Sequence, residues 1–252
     1  MSLNPFDRLA RFYDWEQGDF DDDVAFYVGL ARRTGGPVLE GACGTGRLLT
    51  ALAGTGLQVV GLDSSPAMLD IAARRLAAFG ASVRLELADL RTFELQGDFA
   101  LAIVALDSFG FLLERGDQLA ALSRLRAALK PGGLLALDVA NGNLRGGEAS
   151  LETSLQLALP HPEHDGQLQK WLVRQTDHAR QVDELLAIYD ETSADGVVRR
   201  TSIVFNIRYF CRFELEGLLE TAGLELEALY GDYETGAYGA DSQRLLAVAR
   251  RT

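Results

Sequence analysis

The sequence predicts an α/β protein: a doubly wound, mostly parallel seven-stranded sheet with an antiparallel edge hairpin, plus a small inserted antiparallel β-sheet. Three observations predict it. The apolar runs at 57–62, 99–106 and 134–139 carry too few polar positions to face water on one side, so both faces are expected under helices. These runs alternate with helical stretches up to Asn141, in the order β-α-β-α-β-β-α-β. Beyond Asn141, four stretches alternate polar and apolar residues, which is the pattern of a sheet with one solvated face.

The elements follow in order. Residues 1–37 are expected to be helical and partly apolar, with the acids at 21–23 where a helix start favours negative charge. Gly35, Gly36 and Pro37 stop that segment. A short strand at 37–40 runs into the small-residue turn GACGTG, and RLLTALAGTG reads as a helix ending at Gly54 or Gly56. LQVVGLD is the second strand. Ser65 and Pro66 open the next helix, with the proline where a missing N–H costs nothing. SVRLELADL, DFALAIVAL and LLALDVAN are the third, fourth and fifth strands. The helix between the last two, QLAALSRLRAALKPGG, is expected to be ended by Pro131 and the glycine pair. Residues 142–148 are glycine-rich. LETSLQLALP, QLQKWLVRQTDHA, RQVDELLAIYDETS and VVRRTSIVFNIRYF read as the antiparallel strands, FELEGLLETAG as a helix, and LELEALYGDY with RLLAVARR as the edge hairpin.

Composition narrows the function. The 252 residues are 48% hydrophobic, enough for a real core. There are 24 Lys+Arg against 36 Asp+Glu, a formal charge of −12, which disfavours a nucleic-acid partner and suits a neutral or cationic small molecule. No run of about 18 uncharged apolar residues is present, so no membrane partner is expected. The start MSLNPFDRLA carries no signal-peptide pattern, and the two cysteines, Cys43 and Cys211, make no disulfide framework. Free thiols in a reducing, cytoplasmic compartment are expected.

The central feature is VLEGACGTGRLLTALAG, a strand, a glycine turn and a helix. Gly44 and Gly46 let backbone approach a ligand, and the helix N-terminus faces it. Asp63 ends the next strand 19 residues past Gly44, where a carboxylate can accept both hydroxyls of a ribose. A nucleoside-containing ligand follows; a plain tight turn is the alternative. The third glycine of a dinucleotide fingerprint would fall at Leu49, and no Lys–Ser/Thr pair follows the glycines as in a phosphate loop. Asp89, at the end of the third strand, can accept from an adenine amine, with Leu90 over the ring; a turn or cap residue is the other reading.

Here the chain resembles the class I, seven-stranded S-adenosylmethionine-dependent methyltransferases. VLEGACGTGR is similar to their first motif and GLDSSPAMLDIA to their second, while ADLRTF, FALAIVALDSFGFLL and LKPGGLLALDV follow in family order. The resemblance covers residues 5–141 and resumes at 209–250. It implies S-adenosyl-L-methionine as cofactor, held by Glu40, Gly41, Ala42, Gly44 and Gly46 of the first motif and by Asp63, Ser64 and Met68 of the second. It implies Ala88, Asp89 and Leu90 around the adenine, and Leu106 and Asp107 at the methionine end. One departure stands out. Ala42 occupies a position usually glycine in the family, and Gly41 one often bulky, so the Ala42 methyl could crowd the cofactor's carboxypropyl arm.

FYDWEQGDFDDDVAFY is similar to a small-molecule subset in which an N-terminal aromatic folds over the cofactor; Tyr13 and Trp15 match, with core packing as the alternative, and Tyr27 could join them. Arg47 could reach the cofactor carboxylate or lie in solvent. The same subset inserts four antiparallel strands before the next helix. The division that follows is an N-terminal helical lid at 1–36, a cofactor-binding α/β domain at 37–148 and 209–252, and an inserted sheet at 149–208 over the acceptor site or at a homodimer surface. Pocket-wall candidates are Trp171, Arg174, Tyr189, Arg208 and Tyr209, with Tyr230, Tyr233 and Tyr238 at the rim. Catalytic candidates are Asp107 for orientation, His178 as a base near a turn, and Tyr13. His161, His164, His178 and Asp165 lie in presumed loops without cysteine support, so no metal is expected. The function expected is N- or O-methylation of a small-molecule acceptor, an amine favoured. An inactive cofactor-binding relative, or a protein or tRNA methyltransferase, is the alternative.

Overall fold

The structure is a computed structural model and describes residues 4–95, 97–145 and 151–252. Two helices come first, α1 (Pro5–Gln17) and α2 (Val24–Thr34). Asn4 caps α1 by accepting from the Phe6 N–H, and Pro5 sits in the first turn, where its missing N–H leaves no bond unmade. The α/β core follows: β1 (Val38–Gly41), α3 (Arg47–Ala53), β2 (Val59–Asp63), α4 (Pro66–Leu76), β3 (Val83–Leu87), β4 (Phe99–Val104), α5 (Arg115–Ala128) and β5 (Leu129–Ala140). Ser65 caps α4 through its hydroxyl, which accepts from the Met68 N–H at 3.2 Å.

One expected boundary needs correction. Helix α5 stops at Ala128, and Lys130–Pro131–Gly132–Gly133 already belong to β5. Proline disfavours helical backbone at the residue before it, so the helix has to end earlier than Pro131 itself.

The strands β6 (Leu151–Pro160), β7 (Gly166–Asp177), β8 (Val182–Ser193) and β9 (Val198–Arg208) pair in sequence order as a separate antiparallel sheet. The chain then returns through α6 (Arg212–Thr221), β10 (Leu224–Tyr230) and β11 (Arg244–Arg251). The main sheet has the order β10-β11-β5-β4-β1-β2-β3, with β11 antiparallel to both neighbours. The order reverses at β1, which lies between β2 and β4, so a crevice opens at the carboxyl ends of these strands.

Every residue of β4 is buried, and successive side chains serve opposite faces. Leu101 and Ile103 join the core with α2, α3 and α4, whereas Ala102 and Val104 join the core with α5 and α6. That division is what a sheet covered on both sides requires. A third cluster, with Leu9, Phe12, Met68, Ala187 and Tyr189, packs α1 between α4 and the four-stranded sheet. Phe12 stacks on Tyr189 with centroids 4.1 Å apart. Helix α1 is thereby fixed over the crevice. The expected boundary at 148/149 falls outside the described residues. Cys43 and Cys211 are free thiols, the first of them buried. Among the described residues no helix is long and apolar enough to cross a membrane.

Candidate active site

A cavity of about 640 Å³ lies over the carboxyl ends of the parallel strands. Its size falls within the roughly 300–1,000 Å³ of small-molecule sites. The floor comes from the turns after β1 to β4, and α1, β7, β8 and β9 supply the roof.

Asp63 organises the floor. Its Oδ2 accepts from the Gly44 N–H and its Oδ1 from the Ser65 N–H, both at 2.8 Å. Burial pushes the Asp63 pKa up, and the backbone N–H groups of Ser65, Gly44 and Ser64 oppose that shift. Gly44 has φ +53°, and a Cβ built there would come within 3.8 Å of the Tyr13 ring. Gly46, at φ +79°, fits more tightly: a Cβ there would lie 2.9 Å from the Leu76 side chain and 3.2 Å from that of Ala72. It is a packing glycine between the turn and α4 and does not line the cavity.

Ala42 lines the cavity although its φ is +55°, a left-handed conformation that costs a residue with a Cβ about 1–2 kcal/mol. Gly41 leaves room for its neighbour, because a Cβ there would lie 2.5 Å from the Leu90 Cδ2. The transposed pair therefore has a local consequence: Leu90 occupies the space a side chain at 41 would take, and the strain falls on Ala42.

Of the other residues singled out in the sequence, Tyr13, Ser64, Met68, Ala88, Asp89, Leu90, Leu106 and Asp107 line this cavity. Asp89 is gripped by Arg91, whose Nε and Nη2 donate to its two oxygens at 2.9 and 2.6 Å and hold its pKa down. Arg91 also reaches Asp117 at 3.0 Å. Glu40 and Arg47 line a smaller cavity of about 20 Å³ that shares Tyr13, Ala42, Leu106 and Ser108 with the large one. Glu40 is buried, its Oε2 has no hydrogen-bond partner, and burial pushes its pKa well up. Arg47 is neither in solvent nor on the main cavity wall. It donates to both Asp23 oxygens at 2.7 and 2.6 Å and to the Phe20 carbonyl at 2.8 Å.

Several candidates lie elsewhere. His178 is away from the cavity, its Nδ1 3.1 Å from the Tyr209 hydroxyl. Trp15 packs edge-on against Phe12 and His161, and Tyr27 is fully buried beside Phe26 and Tyr233. Of the roof candidates only Tyr189 lines the cavity; Trp171, Arg174, Arg208 and Tyr209 do not. Trp171 lies between Lys170 and Leu172, which both line it, and alternate strand residues point to opposite faces.

Two further groups carry no signal in the sequence. Asp138, fully buried on β5, accepts from the Leu106 N–H at 3.0 Å, the Tyr233 hydroxyl at 2.7 Å and the Arg244 Nε at 2.5 Å. Arg244 also reaches the Asp107 Oδ2 at 3.2 Å, while the Asp107 Oδ1 accepts from the Ala140 N–H. Burial opposes the charge on Arg244, but Asp107, Asp138 and Tyr233 outweigh it and raise its pKa. Leu106 and Asp107 have φ of +49° and +60°, so this network holds strained backbone at the cavity wall. The second group is Glu16, which accepts from both Lys170 and the Tyr189 hydroxyl and ties α1 to the inserted sheet.

Residues 38–133 match the family model described as a methyltransferase domain. That stretch is a methyltransferase domain, and the fold around it is that of class I S-adenosylmethionine-dependent methyltransferases. Among curated relatives of the chain, the putative methyltransferase YqeM of Bacillus subtilis (strain 168) is 24% identical over 230 residues, 86% of this chain and 85% of the relative. The CcbJ methyltransferase of Streptomyces caelestis has the same fold, with a TM-score of 0.81 over 98% of each chain at 24% identity. The amino pentose methyltransferase CalS10 of Micromonospora echinaspora is 26% identical, with a TM-score of 0.73 over 100% of this chain and 98% of that one. The residues present suit an adenosyl cofactor: an open glycine turn, a carboxylate at the end of β2, and a second carboxylate with a neighbouring leucine just after β3.

Proposed function

We propose that this methyltransferase transfers a methyl group to the nitrogen of a small-molecule amine. The observation that carries the reading is the cavity of about 640 Å³ roofed by α1 and the inserted sheet. It has room for a nucleoside cofactor and a small acceptor together. The amino pentose activity named for CalS10 supports the same class.

In this reading Asp63 holds the ribose hydroxyls, Asp89 accepts from the adenine amine, and Met68 and Leu90 cover the ring. S-adenosylmethionine supplies a methyl carbon made electrophilic by its sulfonium. With it bound, the acceptor nitrogen's lone pair would form the new N–C bond as the C–S bond breaks, sulfur would keep that electron pair, and the new ammonium would give its proton to water. The protein's part is alignment and exclusion of water. Asp107, with both oxygens engaged, orients rather than accepts a proton. Tyr13, pushed up to about 12 by burial against the opposing charge of Arg47, keeps its proton. None of the described residues lining the cavity is a histidine. A neutral amine needs no base to attack, whereas a hydroxyl generally does, and this favours nitrogen.

Titration calorimetry with S-adenosylmethionine and S-adenosylhomocysteine tests the cofactor half. Release of S-adenosylhomocysteine across matched amine and alcohol acceptors tests the rest. Binding with amine-dependent release is expected; release with alcohols alone overturns the choice of nitrogen.

A further inference from the structure

The cavity has two properties that bear on what the amine is attached to. The first is an aromatic seat. Phe6 of α1 meets Phe111 edge-on with centroids 4.8 Å apart, and Phe205 of β9 lies 5.6 Å from Phe6 and 6.1 Å from Phe111. All three line the cavity, and Leu172, Leu185 and Ala187 extend the apolar surface along β7 and β8. Three elements far apart in sequence thus converge on one apolar wall.

The second property is charge. Every cation among the described lining residues is already paired. Lys170 is bound by Glu16, Arg91 by Asp89 and Asp117, and Arg244 by Asp107 and Asp138. A phosphate entering the cavity would have to draw one of them from its carboxylate and leave that carboxylate unpaired. Glu16, Asp63, Asp89, Asp107 and Asp117 outnumber the three lining cations, so the field also disfavours an anion and favours an amine.

We infer that the acceptor is a phosphate-free amine carrying an apolar ring or chain, seated on Phe6, Phe111 and Phe205, and that amino sugars attached to a nucleoside diphosphate are rejected. The inference rests on the amine reading above and adds the body of the molecule to it.

Two probes with the same nitrogen separate the cases: the 4-nitrophenyl glycoside of 3-amino-3,6-dideoxyglucose and the dTDP ester of that sugar. The aryl glycoside is expected to have a kcat/KM at least about tenfold higher. An equal or higher value for the dTDP ester overturns the inference. Phe205→Ala is expected to raise KM for the aryl glycoside about tenfold and more than it lowers kcat, with Phe205→Leu intermediate. Unfolding midpoints are followed in both, and Phe205→Leu decides if the alanine variant does not fold. An unchanged KM in a folded variant overturns the aromatic seat. Cofactor calorimetry is run alongside: absence of cofactor binding counts against the methyltransferase reading, whereas cofactor binding with neither probe methylated counts against this inference alone.

Discussion

The backbone N–H of Gly44 donates to the Asp63 carboxylate at 2.8 Å, tying the turn after β1 to the end of β2. The same carboxylate accepts from Ser65, so its two oxygens are fixed before any ligand arrives. Hydrogen bonds to a charged acceptor contribute about 1.5–3 kcal/mol each, and preorganisation removes the cost of ordering the group. Asp63→Asn keeps the shape but loses the charge. It is expected to weaken S-adenosylmethionine binding about 10- to 100-fold by calorimetry, with a smaller change in the unfolding midpoint.

Ala42→Gly tests the strain in the first turn. Ala42 sits at φ +55°, where glycine escapes the steric cost, while glycine also gains entropy in the unfolded chain. The net expectation is a stabilisation of about 0.5–1 kcal/mol in urea denaturation. If the methyl group crowds the cofactor, affinity rises with it; if affinity is unchanged, the methyl points away from the bound arm.

Glu40 predicts a pH dependence. Burial raises its folded pKa well above the ordinary 4.5. A raised carboxyl contributes its stability below the unfolded value and loses it as pH climbs through the folded one. The cofactor-free protein is therefore expected to lose stability from mildly acidic to mildly alkaline pH. Glu40→Gln removes that slope, so its advantage over the parent should be larger at about pH 8 than at about pH 5 in urea midpoints. Equal advantages at both would mean that Glu40 ionises in the fold without penalty.

Only parts of the site are legible in the sequence. Gly44 and Asp63 are legible because a tight turn, the short helix α3 and the strand β2 fix their separation locally. The roof was half legible. Alternation sorts Lys170 and Leu172 from Trp171, but it does not say which set faces the cavity; the contact of Tyr189 with Phe12 of α1 decides that. Asp138 and Arg244 were invisible, because they meet only through the antiparallel register of β5 and β11, with Arg244 opposite Ala140 and Leu246 opposite Asp138. The pairing of Arg47 is hidden for a related reason: the acids at 21–23 suit a helix start, and one of them, Asp23, is its partner. Along α1, Phe6, Leu9, Tyr13 and Glu16 fall at helical spacing and share the cavity face, whereas Trp15 falls off it.

Tyr13→Phe separates a hydroxyl that donates from one that accepts a proton. Burial and the carboxylates Glu40, Asp63 and Asp14 raise the Tyr13 pKa to about 12 against the pull of Arg47. The phenol is then neutral throughout the range in which an amine acceptor titrates. Were Tyr13 the base, activity would climb with pH through its own ionisation, and the phenylalanine variant would lose that limb. With the proton retained, the acceptor amine alone sets the rise in kcat/KM. The variant should therefore keep the parent's profile between about pH 6 and pH 9 and lie below it by a constant factor, about 3- to 30-fold if one neutral hydrogen bond is lost. A changed profile shape in the variant would return Tyr13 to the role of base.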